Sequence, residues 1–251
     1  MDDLTHDAFL GGRLHLWQPR KGYRAATDPV LLAAACPAQP RQSVLDLGCG
    51  VGAACLCLAA RVPELRLFGL ELQPDLADLA RRNSAENGVA MQIDCGDLRA
   101  MPQSLRLGFD HVIANPPYYA QSGTPSPDAS RDTALRVETP LGEWVQAAAK
   151  RLNPGGWLTI ICGADGLPQV LTAMGTQLGS ASVLPLAPRE GRAALRIILR
   201  ARKSGRAAFR LLAPFILHQG HAHDGDRESN TPRACAILRQ GGDLSEEFRC
   251  I

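Results

Sequence analysis

Strand-like and helix-like segments alternate along most of the chain, and this alternation limits the possible folds more than any other feature. Short apolar runs such as SVLDL (43–47) and FDHVIANPP (109–117) are separated by stretches of helical character, such as the alanine-rich stretch 141–152. Continuous apolar strands that alternate with helices are typical of a parallel sheet covered on both faces. The sequence therefore predicts an α/β fold that begins at about residue 43.

Seven strand-like segments can be counted, and the last two differ from the rest. Residues 180–187 and 193–202 have no helix between them, only the short turn Pro188–Arg192. Two strands joined by a short turn run antiparallel to each other. We therefore expect a seven-stranded, mostly parallel sheet with helices on both faces and an antiparallel terminal strand at its end.

The alternation also divides the chain into three parts. Residues 1–42 form an N-terminal segment, residues 43–202 the core, and residues 203–251 a C-terminal extension that packs on the core. Within the extension, the polar stretch 218–233 predicts a loop, and Arg233–Leu238 resembles a final strand.

A glycine-rich loop follows the first predicted strand of the core. Asp46 ends that strand, and Gly48, Gly50 and Gly52 lead into the first helix in a D-x-G-x-G-x-G pattern. Glycines allow close approach of the backbone to a ligand, and the pattern differs from that of dinucleotide-binding loops. A carboxylate here suits a ligand with an ammonium group and repels a pyrophosphate. S-adenosyl-L-methionine has an ammonium group and no phosphate, so it is the predicted cofactor; a purely structural turn is the alternative.

Acidic residues also follow the next two predicted strands. Glu71 ends the second strand, where an acidic side chain can accept hydrogen bonds from both hydroxyls of a ribose. Asp97 follows the third strand and can accept from the adenine amine of the cofactor. A solvated charge at Glu71 and a helix N-cap at Asp97 are the structural alternatives, and the second is compatible with cofactor contact.

The tetrapeptide Asn115-Pro116-Pro117-Tyr118 ends the fourth predicted strand. Two prolines stop the strand and hold Asn115 in an extended conformation. The Asn115 amide oxygen and the Pro116 carbonyl can then accept both hydrogens of an NH2 group and aim its lone pair at the cofactor methyl, while Tyr118 offers a face for stacking. We assign Asn115, Pro116 and Tyr118 to catalysis, and Asn115 also to the cofactor contact. The stretch 119–134 that follows predicts a long loop.

These motifs resemble those of a known family. VLDLGCGVG, GLEL, GDL and NPPY, in this order, look like those of class I amino-methyltransferases that act on exocyclic nitrogens. The opening residues 7–14, 18–19, 22–24 and 28–32 resemble the bacterial tRNA(Val) adenine-N6-methyltransferase group, and the resemblance covers roughly residues 5–240. It implies a Rossmann-like class I fold and methyl transfer from S-adenosylmethionine to the N6 amine of an adenine in RNA, with tRNA as the expected substrate.

The resemblance also gives the N-terminal segment a role. In that family, this segment contacts the carboxylate end of the cofactor, and Gly22, Arg24 and Asp28 stand at the matching positions. Arg24 is able to pair with a carboxylate. A surface arginine is the alternative for this position.

Two groups of cations are candidates for contacts with RNA phosphates. Eight lie between Arg189 and Arg210 against one acid, Glu190, and four more form a cluster between residues 13 and 24. The first group is Arg189, Arg192, Arg196, Arg200, Arg202, Lys203, Arg206 and Arg210; the second is Arg13, Arg20, Lys21 and Arg24. A net charge of +2 does not by itself indicate a nucleic-acid-binding protein, so the hypothesis depends on these local groups, and a solvated surface is its alternative.

Composition and residue spacing also bear on the cellular compartment, on membrane association and on metal binding. The eight cysteines stand mostly in apolar stretches and predict buried free thiols in a reducing cytoplasm. We predict no targeting segment and no membrane span. His218, His221 and His223 match no common ligand spacing, so we predict no metal.

Two other functions are compatible with the motifs. Protein methyltransferases that modify a glutamine amide also carry NPPY, but they usually have a helical N-terminal domain, and only some 42 residues precede the first core strand. A non-catalytic RNA-binding factor with the same fold is the second alternative, and the intact glycine-rich loop and NPPY argue against it.

Overall fold

The computed structural model describes residues 3–22, 24–117, 139–220 and 229–249, and within these ranges it contains eleven strands and six α-helices. The strands are β1 (Leu4–Phe9), β2 (Leu14–Pro19), β3 (Ser43–Leu47), β4 (Arg66–Glu71), β5 (Met91–Cys95), β6 (Phe109–Ala114), β7 (Leu152–Gly163), β8 (Leu178–Ala187), β9 (Arg196–Lys203), β10 (Arg210–Leu211) and β11 (Phe215–Ile216). The helices are α1 (Thr27–Ala35), α2 (Ala53–Ala59), α3 (Pro74–Glu86), α4 (Leu141–Arg151), α5 (Leu167–Met174) and α6 (Pro232–Gln240).

A nine-stranded sheet forms the centre of the molecule. Its order is β10-β8-β9-β7-β6-β3-β4-β5, and β11 also pairs with β8. Strands β3 to β7 run parallel to one another, whereas β9 is antiparallel to both β7 and β8. The predicted mostly parallel α/β fold is thus confirmed, and the carboxyl ends of β3, β4, β5 and β6 meet at one edge of the sheet.

The antiparallel strand lies in the interior of the sheet rather than at the predicted end. Strand β9 is inserted between β7 and β8, and Ile197, Ile198 and Leu199 are almost completely buried. A strand with consecutive apolar residues buries both faces, which an interior position allows. The short strands β10 and β11 extend the sheet beyond the seven predicted strands by pairing with the outer edge of β8.

Helices cover both faces of the sheet and create two main apolar cores. One core contains α1, α2, α6 and residues of the N-terminal hairpin, and the other contains α4 and α5. In the part of the chain that the structure describes, no helix is long and apolar enough to cross a membrane.

The N-terminal segment forms a hairpin, β1 and β2, followed by α1. Two asparagines bind the exposed backbone edge of β2. One lies in α3 and the other at the C-terminal end of that helix, one helical turn further on. Asn83 pairs with both backbone polar groups of Trp17, and Asn87 pairs with those of His15, at distances of 2.8–3.1 Å. The hairpin is therefore attached to the core by these side-chain amides and by its buried residues Leu14 and Leu16, and not by pairing with the main sheet.

The C-terminal extension ends in a helix where a strand was predicted. The prediction of a strand over Arg233–Leu238 is wrong, because α6 spans Pro232–Gln240. The Thr231 hydroxyl accepts a hydrogen bond from the Ala234 amide at 3.1 Å, which caps the helix, and Pro232 occupies the first turn. Gly241 ends the helix in a left-handed conformation, with φ of 65°. These local signals outweigh the apolar pattern of the segment.

Candidate active site

The glycine-rich loop curves tightly between β3 and α2. Gly48, Gly50 and Gly52 have φ values of 66°, 55° and 86°, which favour glycine at all three positions. At Gly48 the requirement is also steric, since a Cβ atom would lie 2.5 Å from the indole ring of Trp144. The loop therefore presents bare backbone at the carboxyl edge of the sheet, as a cradle for a ligand requires.

Two buried carboxylates lie beside this loop. Asp46 and Glu71 are 2% and 6% exposed, and the Glu71 carboxylate accepts hydrogen bonds from the backbone amides of Gly50 and Gln73, both at 2.9 Å. Burial raises the pKa of Asp46 well above its usual range, and the nearby charge of Glu71 raises it further. Burial also raises the pKa of Glu71, against the opposing effect of its backbone donors. A cation bound here would stabilise both ionised carboxylates, which fits a sulfonium cofactor with an ammonium group.

Asp97 has the N-cap role that the sequence suggested. Its carboxylate accepts from the backbone amide of Arg99 at 2.8 Å and pairs with the Arg99 guanidinium at 2.6 Å, and these contacts lower the pKa of Asp97. The same guanidinium lies 3.9 Å from a carboxylate oxygen of Glu143, in the first turn of α4. Asp97 is thus held in place at the edge beyond β5.

Asn115 follows β6 and carries an unsatisfied acceptor. Its Oδ1 atom is buried and has no hydrogen-bond partner among the described residues. A buried polar atom without a partner is costly, so its presence next to a ligand-binding edge points to an incoming donor. Pro116, the next residue, is buried, whereas Tyr118 and the predicted loop 119–134 lie outside the described residues.

The two charged residues assigned to the cofactor's carboxylate end have partners inside the protein. Arg24 pairs with Asp7 at 2.7 Å and donates to the Thr5 hydroxyl and the Pro19 carbonyl. Asp28, in the first turn of α1, forms an ion pair with Arg196 at the start of β9. The described contacts connect Asp46, Glu71 and the glycine-rich loop with one another, but none of them connects Arg24 or Asp28 to that group.

One residue that the sequence analysis missed supports the glycine-rich loop through a hydrogen bond. The Asn83 side chain is fully buried, and its amide donates to the backbone carbonyl of Val51, in the loop, at 3.0 Å. The same side chain holds Trp17 of the hairpin. A polar residue in an amphipathic helix predicts a solvent-facing position, so no local pattern indicates this role.

Most cations of the predicted RNA-binding group between Arg189 and Arg210 contact the protein itself. Arg189 donates to the backbone carbonyl of Gln219, and Arg202 donates to that of Gly155 at 3.0 Å. Lys203 donates to the Ala149 carbonyl at 2.7 Å. The remaining members with described partners are Arg196, Arg200 and Arg210. Arg192 and Arg206 are exposed and have no side-chain hydrogen bond or ion pair among the described residues.

These cations also lie at opposite edges of the sheet. The turn that contains Arg192 joins β8 to β9 at the carboxyl edge, the same edge as the glycine-rich loop and Asn115. Arg202 and Lys203 lie at the other end of β9, toward the opposite edge. On the N-terminal side, Arg20 and Lys21 are exposed beyond the end of β2.

The cysteines and histidines give no sign of a metal centre in the described ranges. The seven cysteines described there are free, and no group of three or more potential ligands among these residues is arranged to hold a metal ion. His221 and His223 lie outside the described residues.

Comparisons with known proteins agree with this geometry. The family described as methyltransferase small domain matches residues 26–184, more than half of the chain. A Porphyromonas gingivalis protein named tRNA1(Val) (adenine(37)-N6)-methyltransferase is 33% identical over 174 residues, which cover 65% of this chain and 68% of the relative. An Actinobacillus succinogenes protein of the same name is 29% identical and is matched over 77% of this chain and 82% of its own length.

Solved structures show the same fold. The structure of a predicted O-methyltransferase from Agrobacterium tumefaciens superposes with a TM-score of 0.69 at 24% identity, over 86% of this chain and 98% of that chain. A T. thermophilus 16S rRNA N2 G1207 methyltransferase, solved with AdoMet and guanosine, superposes with a TM-score of 0.55 at 19% identity, over 80% and 50% of the two chains.

The family match and the named relatives confirm the predicted methyltransferase activity and S-adenosyl-L-methionine cofactor. The solved structures confirm the predicted class I fold. The family that the motifs resembled is confirmed as well, by several relatives with the same name at about 30% identity. The chain belongs to the methyltransferase small-domain family, together with the bacterial tRNA1(Val) (adenine(37)-N6)-methyltransferases.

Proposed function

We propose that this protein transfers a methyl group from S-adenosyl-L-methionine to the exocyclic N6 amine of an adenine in tRNA. The observation that carries the proposal is the buried, unpartnered Oδ1 atom of Asn115 at the carboxyl edge of the sheet. An exocyclic amine has two hydrogens to donate, and this oxygen is a fixed acceptor without a donor in the described structure. The relatives named for an adenine-N6 reaction on a tRNA support the same substrate class.

The chemistry needs little more than positioning. The cofactor supplies an electrophilic methyl group on a sulfonium, which is a good leaving group. The Asn115 amide oxygen and the Pro116 carbonyl accept from the target amine, so its lone pair is withdrawn from the adenine ring and turned toward the methyl group. Holding reactants in a productive geometry contributes up to about 7–11 kcal/mol in favourable cases. The methylated amine then loses one proton, and no dedicated base is required for the transfer itself.

The residues around the glycine-rich loop would hold the cofactor. Gly48, Gly50 and Gly52 provide open backbone. Each carboxylate oxygen of Glu71 accepts one backbone amide, from Gly50 or Gln73, and keeps a second lone pair that can accept from a ribose hydroxyl. Asp46 contributes the negative charge that favours a cationic ligand.

Three further residues complete the proposed cofactor site. Asp97 accepts from the adenine amine of the cofactor, and Arg24 and Asp28 act at its carboxylate end. Because Arg24 and Asp28 are paired with Asp7 and Arg196 in this structure, their part in binding requires that these partners share them with the ligand.

The RNA would approach the carboxyl edge, where Asn115 lies. Tyr118 is proposed to stack on the target base. Among the predicted cations, Arg192, Arg20 and Lys21 are the best placed to neutralise phosphates, because they are exposed at the sides of this edge. Arg189, Arg202 and Lys203 donate to backbone carbonyls of the protein itself, so we expect less from them.

The experiment that tests this function compares two substrates. Purified protein with radiolabelled S-adenosyl-L-methionine is incubated with total tRNA or with total protein from a bacterial lysate, and labelled RNA is digested to nucleosides. Label in N6-methyladenosine is the expected result. Label in protein alone, or in a different nucleoside, would contradict the proposal. Sequencing of the labelled tRNA then tests whether its target is adenine 37 of tRNA1(Val), the position in the names of the relatives.

A further inference from the structure

A row of polar residues crosses four neighbouring strands, β7, β9, β8 and β10. Thr159 of β7 lies directly opposite Arg200 of β9, Arg200 lies opposite Ser182 of β8, and Ser182 lies opposite Arg210 of β10. Residues directly opposite each other in a sheet point to the same face. These four side chains therefore share the face that also buries Ile198 and α6.

A cavity of 220 Å³ lies over this row. Seven residues line it, and they include three arginines, two serines and two aromatic rings: Trp157, Ser182, Arg200, Arg210, Ser245, Phe248 and Arg249. No residue of this lining is acidic. A pocket with several guanidinium groups and hydroxyls, and without a carboxylate, is electrostatically suited to an anion.

Arg200 is the strongest indication of a missing ligand. Its guanidinium lies 4.3 Å from the ring centroid of Phe248 and 5.3 Å from that of Trp157, and its buried Nε atom has no partner among the described residues. No described carboxylate lies within ion-pair distance of Arg200, and burial together with neighbouring arginines lowers its pKa to about 10. A half-buried guanidinium with no described counter-charge loses part of its hydration, so an anion bound beside it would stabilise it. The hydroxyl of Thr159, fully buried beside it, also has no partner in the described part of the chain.

We propose that this cavity binds a phosphate group. A phosphate presents several anionic oxygens, and each can accept from a different donor, which matches guanidinium groups that reach the cavity from β9, from β10 and from the segment after α6. Ser182 already accepts from the Arg210 guanidinium, so its hydroxyl hydrogen is free to point elsewhere. The site is separate from the methyl-transfer site, because Arg200 lies three strands away from Asp46 in the same register, or roughly 14 Å at the usual spacing of strands.

The phosphate has two possible sources with the same chemistry, the RNA backbone and a free phosphate or phosphomonoester. The presence of the site does not depend on the proposed methyl-transfer reaction. The first arm of the test therefore uses inorganic phosphate alone, with neither RNA nor cofactor, so that its outcome is independent of that reaction.

In the first arm, phosphate binding is measured by the rise in thermal unfolding temperature and by calorimetry, against chloride at equal ionic strength. We expect phosphate to stabilise the parent protein, and Arg249→Gln to weaken binding by at least about tenfold, as for the removal of a hydrogen bond to a charged group. Arg249 is exposed, so this variant leaves the core intact. Arg206→Gln, a neutralised cation outside the cavity, is the matched control and should bind phosphate like the parent.

Two results would overturn the proposal. The first is equal stabilisation by phosphate and chloride, and the second is an equal loss of phosphate binding in Arg206→Gln and Arg249→Gln. Arg200→Met, which keeps the stem that packs on Phe248, provides a second variant, and unchanged phosphate affinity in it would also contradict the assignment.

The second arm identifies the source. If the ligand is an RNA phosphate, inorganic phosphate competes with tRNA, and Arg249→Gln reduces the slope of log K against log salt by about 0.7–0.9. If the ligand is a free phosphate, tRNA affinity is the same for Arg249→Gln and the parent protein, while the first arm still shows binding. Either pattern supports a phosphate site.

Discussion

The two halves of the candidate site differ in how complete they are without a ligand. On the side of β3 and β4, the Glu71 carboxylate is held by two backbone amides, and the glycine-rich loop is fixed by hydrogen bonds of its own. On the side of β6, the Asn115 oxygen is buried with no donor among the described residues. In the described residues the first half is organised before binding, whereas we propose that the second is completed by the substrate amine.

This difference predicts different consequences of substitution. Changes on the cofactor side should alter binding or folding, because they remove interactions that are already made. Changes at Asn115 should alter the rate of transfer, because the interaction they remove is made only with the reacting amine. The following experiments test this division, in order of expected effect.

The largest effect is expected for Asn115→Ala. Methyl transfer to tRNA should fall by about a hundredfold or more, as for the removal of a single fixed polar group in other active sites, while affinity for the cofactor stays within about twofold. Asn115→Asp keeps an acceptor and should retain more activity. The measurement is single-turnover transfer with saturating cofactor. Rates near those of the parent in Asn115→Ala would show that the two halves do not differ as described.

Glu71→Gln should act on binding. It replaces the ionised acceptor and weakens S-adenosyl-L-methionine binding by roughly ten- to a hundredfold, the range for a hydrogen bond to a charged group. Glu64→Gln, which removes an exposed carboxylate paired with Arg41, is the matched control and should leave affinity unchanged. Calorimetry measures both, and equal affinities for the two variants would remove Glu71 from the site.

The same pair of carboxylates predicts a pH dependence. Burial raises the pKa values of Asp46 and Glu71, so the apo protein loses stability as pH rises from the unfolded pKa values toward the raised folded values. A cationic ligand favours the ionised forms, so binding releases protons, and cofactor affinity should fall as pH is lowered from neutral to mildly acidic. Glu71→Gln should show a weaker dependence. An affinity of the parent that increases on acidification would contradict this coupling.

A smaller effect on binding is expected for Asn83→Ala, which leaves the buried carbonyl of Val51 without its donor. Cofactor affinity should fall a few-fold, and the free energy of unfolding should fall by about 1–3 kcal/mol. Asn87→Ala removes the equivalent contacts to His15 at an exposed position and should cost less stability without changing affinity. Urea unfolding and calorimetry measure the two quantities. If both variants lose affinity equally, the contact with the glycine-rich loop has no special part.

The smallest effects are expected among the cations. Neutralising Arg192 and Lys21 should lower tRNA affinity and reduce the salt slope by about 0.7–0.9 for each phosphate that the protein no longer neutralises. Neutralising Arg202 and Lys203, which donate to backbone carbonyls, should leave the slope unchanged. Fluorescence anisotropy over a range of salt concentrations provides the comparison. A larger change for the second pair would place the RNA at the other edge of the sheet.

Much of the fold could be predicted because it is encoded locally. The alternation of apolar runs and helices predicted the parallel sheet, and α3 begins at Pro74 and ends just before Asn87 and Gly88, residue types that are typical of helix limits. The position of β9 in the strand order could not be predicted from the sequence. A short turn indicates that two strands are neighbours, but not on which side of β8 the second strand pairs. In α6, the signals from Thr231, Pro232 and Gly241 were present in the sequence and outweighed the apolar pattern.

The residues of the candidate site also divide into those that a sequence motif predicts and those whose roles depend on tertiary contacts. Asp46, Glu71 and Asn115 stand in motifs, so their places at strand ends follow from the sequence. Asn83 and Arg200 belong to no motif, and their roles arise from contacts between distant segments. Polarity predicts an exposed position for each of them, whereas Asn83 is fully buried and Arg200 is packed against Phe248.

The insertion of β9 also has a consequence for the order of events during synthesis. Strands β7 and β8 leave the ribosome before β9, yet each pairs with β9 and not with the other. Until residues 196–203 have emerged, both strands have an unpaired edge, which is a hazard for association with other chains. The sheet becomes continuous only when about four-fifths of the chain has been made, so nascent chains that stop before β9 should need a chaperone more than any later intermediate.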